Sequence, residues 1–331
     1  MKSYLTNEIC QLMNPHLSPD QNRQLKSTLV RVFAKVNLSE SPSDFSPDDS
    51  KHNQKLIDLF VAAKRIEGCS DNTLKYYSNT LTKMADALQK NVCHADTNDL
   101  RSYLSNYHDS HGTSKVTLDN IRRIMSSFFA WLEDEDYIVK SPVRRIHKVK
   151  TTQVVKETLS DEHLEILRDK CTHPRDLAMI DLLTSTGIRV GELVKLNRSD
   201  INFAERECIV LGKGDKERRV YFDAKTKIHL QQYLNTRKDN NPALFVSYKA
   251  PWDRLSIAGI EYTLRKLGAS SHISHVHPHK FRRTMATMAI EKGMPIEQVQ
   301  KLLGHAKIDT TLHYALVNQA NVKLSHRKYM C

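Results

Sequence analysis

Apolar residues recur at three- and four-residue spacing through most of the chain, the repeat of a helix with one buried face. The pattern begins in two short stretches, residues 5–13 and 19–36, the second marked by Leu25, Leu29, Val32 and Phe33. It lapses over 39–53, a run rich in Ser, Pro and Asp that reads as a linker. It resumes with Leu56, Phe60, Ala63 and Ile66, and Gly68 stops that helix. Ser70 or Asp71 can cap the next, which runs through Thr73, Tyr77, Leu81 and Met84. A third helix follows Thr97, and a fourth spans about 114–132 with Leu118, Ile121, Met125, Phe128, Phe129 and Leu132 on one face. These make a helical domain over 54–143, preceded by a small helical segment, 1–38. A connector over 144–158 carries Arg144, Arg145, Lys148 and Lys150.

From 159 onward the pattern is mixed. Ser160 caps a helix, and a buried helix runs through 177–183. Two strand-like runs, 208–211 and 219–222, flank the turn Gly212-Lys213-Gly214-Asp215. The remainder is again mostly helical, with strand or loop near 244–247. The expected class is mainly α with a small β-sheet, the second domain occupying 159–331.

Charge adds a partner to this picture. The 331 residues hold 50 Lys and Arg against 38 Asp and Glu, a formal net charge of +12. Residues 1–50 carry −1, 51–150 carry +4 and 151–331 carry +9. A basic excess concentrated in two domains points to a polyanion, with nucleic acid the commonest. The acidic first segment lacks basic clustering, so a protein–protein contact suits it better than DNA. No apolar run approaches the ~20 residues of a membrane span, and the first twenty residues lack a signal-peptide core. Six scattered cysteines without a Cys-x-x-Cys pair exclude a disulfide framework or zinc knuckle. A cytoplasmic protein is expected.

Four local patterns follow in order through the second domain. Thr184-Ser-Thr-Gly187-Ile-Arg189-Val-Gly-Glu192 places an arginine at a glycine-stopped helix joint. Leu211-Gly-Lys213-Gly-Asp-Lys216-Glu-Arg218-Arg219 sets a lysine on a glycine-flanked hairpin. His279-Lys-Phe-Arg282 puts two donors one helical turn apart. Leu302-Leu-Gly304-His305 is followed, nine residues after the histidine, by Tyr314. Each alone reads as an ordinary joint, solvated hairpin or helix face. His272, His275, His277 and His279 also cluster, but without a nearby cysteine or carboxylate they make a poor metal site, and none is expected.

Taken together and in this order, Arg189, Lys213, His279, Arg282, His305 and Tyr314 resemble the signature of the tyrosine recombinases, the integrase family of phages, transposons and Xer systems. The resemblance spans about 54–325, with the helical segment similar to the family's core-binding domain, including Gly68, Tyr77, Phe128, Phe129, Trp131 and Pro142. The chain departs from the family pattern at Arg283, often His there, and at Phe281, commonly Leu. Neither change falls on a catalytic position.

The resemblance implies site-specific cleavage and rejoining of DNA strands through a 3′-phosphotyrosyl intermediate, with no cofactor. Its residues suit that chemistry. Arg189 and Arg282 can hold two non-bridging phosphate oxygens while staying charged. His279 and His305 add hydrogen bonds, and His279 can take the tyrosine proton. Tyr314, with an ordinary pKa of ~10, needs such a cationic site to act as nucleophile. Lys213 protonates the leaving 5′-hydroxyl, and Glu192 orients Arg189. The expected partners are double-stranded DNA and three further copies in a homotetramer, with room for a directionality factor. A type IB topoisomerase, or a DNA-binding regulator without catalysis, is the alternative.

Overall fold

In the computed structural model the described residues are 2–34, 47–150, 157–212, 217–305, 307–308 and 310–312. The chain divides into two compact units, 1–152 and 153–331. None of the described helices is long and apolar enough to cross a membrane.

The first unit is helical. α1 (Lys2–Met13) and α2 (Pro19–Ala34) pack on each other. Then come α3 (Pro47–Ile66), α4 (Asp71–Leu88), α5 (Thr97–His111) and α6 (Lys115–Asp134). Helix starts follow local chemistry. The Ser70 and Ser114 hydroxyls accept the Thr73 and Thr117 amides, and Asp96 with Asp99 forms a reciprocal capping box. Ser70, rather than Asp71, is therefore the cap of α4. Phe60, Leu81, Met84, Leu100, Met125, Phe128 and Leu132 are fully buried where α3–α6 meet. Phe60 sits edge-on to Phe128 at 5.4 Å between ring centres.

One expectation needs correction. Residues 39–53 read as a linker, yet 47–53 form the first two turns of α3. Pro47 occupies the first helical position, and Asp48 and Asp49 face the positive end of the helix. Asn53 is buried, donating to the Lys90 carbonyl and accepting the Val92 amide. The part of the expected connector nearest this unit is also structured. A tight helical turn spans Pro142–Arg145, and the Val149 amide donates to Asp119.

The second unit contains α7 (Asp161–Asp169), α8 (Pro174–Thr186), the short α9 (Val190–Leu193), α10 (Ala224–Thr236), α11 (Ile257–Ser270), α12 (Pro278–Glu291) and α13 (Ile296–Leu303). A three-stranded antiparallel sheet, β1 (Ile201–Asn202), β2 (Glu207–Leu211) and β3 (Glu217–Tyr221), pairs in chain order. β1, only two residues long, was not anticipated. Cys208 faces Val220 across the β2–β3 ladder, and Cys208, Val210 and Val220 are buried. Val210 and Val220 join Ile180, Leu183, Leu230, Leu264 and Phe281 in one core. A smaller cluster, Met285, Ala286, Val299 and Leu303, fastens α13 to α12. Near 244–247 the backbone forms an isolated bridge, Val246 to Arg254, rather than a full strand.

Candidate active site: arginines gathered at one helix end

An α-helix ends with carbonyls that lack intrahelical partners, and its C-terminus carries partial negative charge. α13 ends at Leu303, and Gly304 beyond it adopts a left-handed φ of 64°. The carbonyls of three consecutive residues here are each met by a different guanidinium. Arg218 donates from Nε to Leu302 at 3.1 Å, Arg282 donates to Leu303, and Arg189 donates to Gly304 at 3.1 Å.

Each arginine arrives by a separate route. α8 ends at Gly187 with φ 60°, and Arg189 follows as the N-cap residue of α9. A Cβ on Gly187 would lie 2.3 Å from Met285 Cε and 3.3 Å from Leu303 Cδ2. The joint thus needs glycine for both its backbone and its close approach to α12 and α13. Arg282 projects from α12, is 3 % exposed, and also donates to the Gly187 carbonyl at 2.7 Å. Arg218 comes from β3 and is largely buried.

Glu192 on α9 is 5 % exposed and ties two of these cations together. It accepts the Arg189 amide at 2.8 Å and the Arg189 guanidinium at 2.9 Å. Arg218 forks onto both of its oxygens at 2.6 and 2.7 Å. Burial alone would raise the Glu192 pKa, but the Arg218 fork and the Arg189 bonds outweigh it and hold the carboxyl below its ordinary range. Three guanidiniums against one carboxylate leave this helix end positive, suited to an anion.

His305 follows Gly304 directly. Its Nε2 lies 3.1 Å from Arg282, and its Nδ1 lies 2.9 Å from the Thr311 hydroxyl. A guanidinium only donates, so Nε2 is the acceptor and Nδ1 carries the proton toward Thr311. Burial, then the charges of Arg282, Arg189 and Arg218, depress the His305 pKa to about 4. The ring is neutral at neutral pH.

Of the seven residues expected from sequence, Arg189, Glu192, Arg282 and His305 come together here. His279 lies in the first turn of α12, one turn before Arg282, and is exposed. Lys213 and Tyr314 lie outside the described residues. Among the described residues no group of three or more His, Cys, Asp or Glu could hold a metal ion. In the histidine cluster, His277 is lowered by burial, then by Arg283, His279 and Lys280. Sequence reasoning passed over Arg218, read as part of a solvated hairpin, and Thr311. The alternation of β3, which turns Arg218 and Val220 to the same face, was the available signal for the first.

Residues 152–321 match the phage integrase family, and residues 56–138 match the phage integrase N-terminal SAM-like domain. Tyrosine recombinase XerC of Oceanobacillus iheyensis is 32 % identical over 289 residues, covering 82 % of this chain and 94 % of the relative. Its counterpart in Staphylococcus aureus is 30 % identical over 282 residues, covering 81 % and 94 %. Among solved structures, XerH site-specific recombinase in a post-cleavage complex with a palindromic difH substrate aligns with TM-score 0.67 and 20 % identity, over 98 % of this chain and 93 % of that one. A lambda integrase dimer bound to a COC′ core site gives TM-score 0.66 and 18 % identity, over 90 % and 87 %. These two likenesses are of fold.

Proposed function

Because the chain belongs to the phage integrase family of tyrosine recombinases, which cleave and rejoin DNA strands at specific sites, we propose that Tyr314 is its nucleophile and that Arg189 and Arg282 clamp the scissile phosphate. What supports this reading is that Arg189 and Arg282, far apart in sequence, share the carbonyls at the end of α13, and that Arg282 also meets the His305 ring. Tyr314 lies nine residues beyond His305 in the chain.

The Tyr314 oxygen attacks phosphorus, forming a 3′-phosphotyrosyl bond as the bond to the 5′ oxygen breaks. His279 accepts the phenolic proton, and Lys213 delivers one to the departing 5′ oxygen. The two guanidiniums bind the non-bridging oxygens, whose negative charge grows in the transition state. His305 adds a hydrogen bond there when its proton sits on Nε2, so its contact with Arg282 is exchanged for one with phosphate. The phosphotyrosyl ester conserves the energy of the cleaved bond, and a 5′-hydroxyl from the partner duplex attacks it to rejoin. Full exchange between two duplexes cuts four strands. A homotetramer on DNA supplies one tyrosine to each.

The working division is residues 47–143, with α3 whole, as the core-binding half and 159–331 as the catalytic half. The basic set Arg144, Arg145, Lys148 and Lys150 adds contacts to the phosphate backbone. Tyr314→Phe tests the reading. It should bind target DNA with affinity within about threefold of the parent, since one hydroxyl is removed and the phosphate contacts remain. It should form no covalent adduct on denaturing electrophoresis. An adduct retained by Tyr314→Phe would remove Tyr314 from its role.

A further inference from the structure

Glu192 and Arg189 cannot be understood as a pair. A buried carboxylate with one guanidinium partner would neutralise that guanidinium and draw it inward, leaving little charge for a substrate. Glu192 instead has two partners. Arg218 takes both carboxylate oxygens in a fork, while Arg189 holds one through a single side-chain nitrogen. The Arg218–Glu192 pair is therefore close to self-neutral, and the charge of Arg189 is left over. Arg189 keeps a fixed direction through the Glu192 contact and the Gly304 carbonyl.

Arg218 is itself held at three places. Its fork meets Glu192, its Nε meets the Leu302 carbonyl, and its stem lies under Gly304, where a Cβ would stand 2.9 Å from Arg218 Cδ. A side chain so pinned cannot step aside cheaply. Gly304 is thus required by its φ of 64° and again by this approach. Arg218 also stands near the start of β3, five residues after Lys213 in the chain.

We infer that Arg218 is a positioning residue for strand cleavage: it neutralises Glu192 so that the charge of Arg189 stays available to the scissile phosphate, and it fastens β3 to the end of α13. This role rests on the phosphate-clamp reading given above. Arg218 itself touches no substrate.

The test is single-turnover cleavage by the full chain on two duplexes. One carries an ordinary scissile phosphodiester, and the other a methylphosphonate, in which a neutral methyl replaces one non-bridging oxygen. The second substrate has no charge for the clamp to bind. Arg218→Ala should slow cleavage of the phosphodiester by about 10²-fold, the scale of losing one oriented donor, with DNA affinity within about threefold of the parent. On the methylphosphonate the deficit should shrink to within about tenfold, as it should for Arg189→Ala. Arg218→Lys keeps a positive charge in a compact side chain, but an ammonium cannot span both oxygens. It should fold with the parent's denaturation midpoint and slow the phosphodiester by about tenfold.

Equal slowing of both substrates by Arg218→Ala, with Arg189→Ala recovering, would overturn the positioning role. So would cleavage by both Arg218 variants within about threefold of the parent on the phosphodiester. Failure of Arg189→Ala to recover on the methylphosphonate would instead overturn the clamp reading beneath it.

Discussion

α5 and α13 end alike and are completed differently. Each runs into a glycine with left-handed φ, 55° at Gly112 and 64° at Gly304. At the end of α5 the chain closes on itself: the Gly112 and Thr113 amides return to the His108 carbonyl, and His111 contacts the Tyr107 carbonyl. At the end of α13 the Gly304 and His305 amides likewise return to Lys301 and Gln300, but the last carbonyls are met by Arg282, Arg218 and Arg189, separated from them by 21, 84 and 115 residues. The same stop signal makes a helix end served by local contacts in one unit and a gathering of three guanidiniums in the other. What differs is the side chains that the fold brings to the carbonyls.

Removing an arginine from the α13 end, against removing one from the body of α5, sharpens the comparison most. Arg282→Ala strips donors from the Gly187 and Leu303 carbonyls and from His305, each loss costing about 1–3 kcal/mol if unsatisfied. Cleavage should fall by about 10³-fold or more, as when an arginine facing a transferring phosphoryl group is lost. Arg101→Ala on α5 removes only exposed contacts to Asn98 and the Arg145 carbonyl, and should change stability by less than about 0.5 kcal/mol. Denaturant titration and single-turnover cleavage read both.

The glycines give a smaller, graded contrast. Gly112→Ala meets nothing within 4 Å and should cost only its left-handed backbone, about 1–2 kcal/mol. Gly187→Ala adds crowding against Met285 and Leu303, so it should cost about 1–3 kcal/mol more. Equal denaturation midpoints for the two would show that Met285 moves aside freely.

A further contrast is in pH. A histidine whose folded pKa is about 4, against an unfolded value near ~6.5, binds fewer protons folded than unfolded across that interval. Its contribution is whole above the unfolded pKa and declines as pH falls toward 4. His305→Gln should therefore flatten the loss of melting temperature between pH 7 and pH 5. An unchanged slope would mean that His305 does not titrate in that window.

Helices with one apolar face and a serine or aspartate cap were legible residue by residue, because cap and period are both local signals. The start of α3 was misread because Pro47, Asp48 and Asp49 belong equally to linkers and to helix N-termini. Asn53's bonds to Lys90 and Val92, which decide the matter, span nearly forty residues. Arg189, Arg282 and His305 were legible as a constellation only through the family resemblance, since no local rule brings residues 189 and 304 together. Arg218 stayed hidden for the opposite reason. Its neighbours Lys216 and Arg219 made it look like one charge among several on a solvated hairpin, while β3 turns its side chain inward to Glu192.

The central claim is that Tyr314 becomes covalently joined to DNA in a site built on these arginines. Adduct trapped on a nicked target duplex, digested with nuclease and trypsin, locates the linkage directly. A nucleotide mass on Tyr314, within the peptide spanning 308–323, is the expected result. The same mass on Tyr262 or Tyr329, with Tyr314 unmodified, would contradict the account.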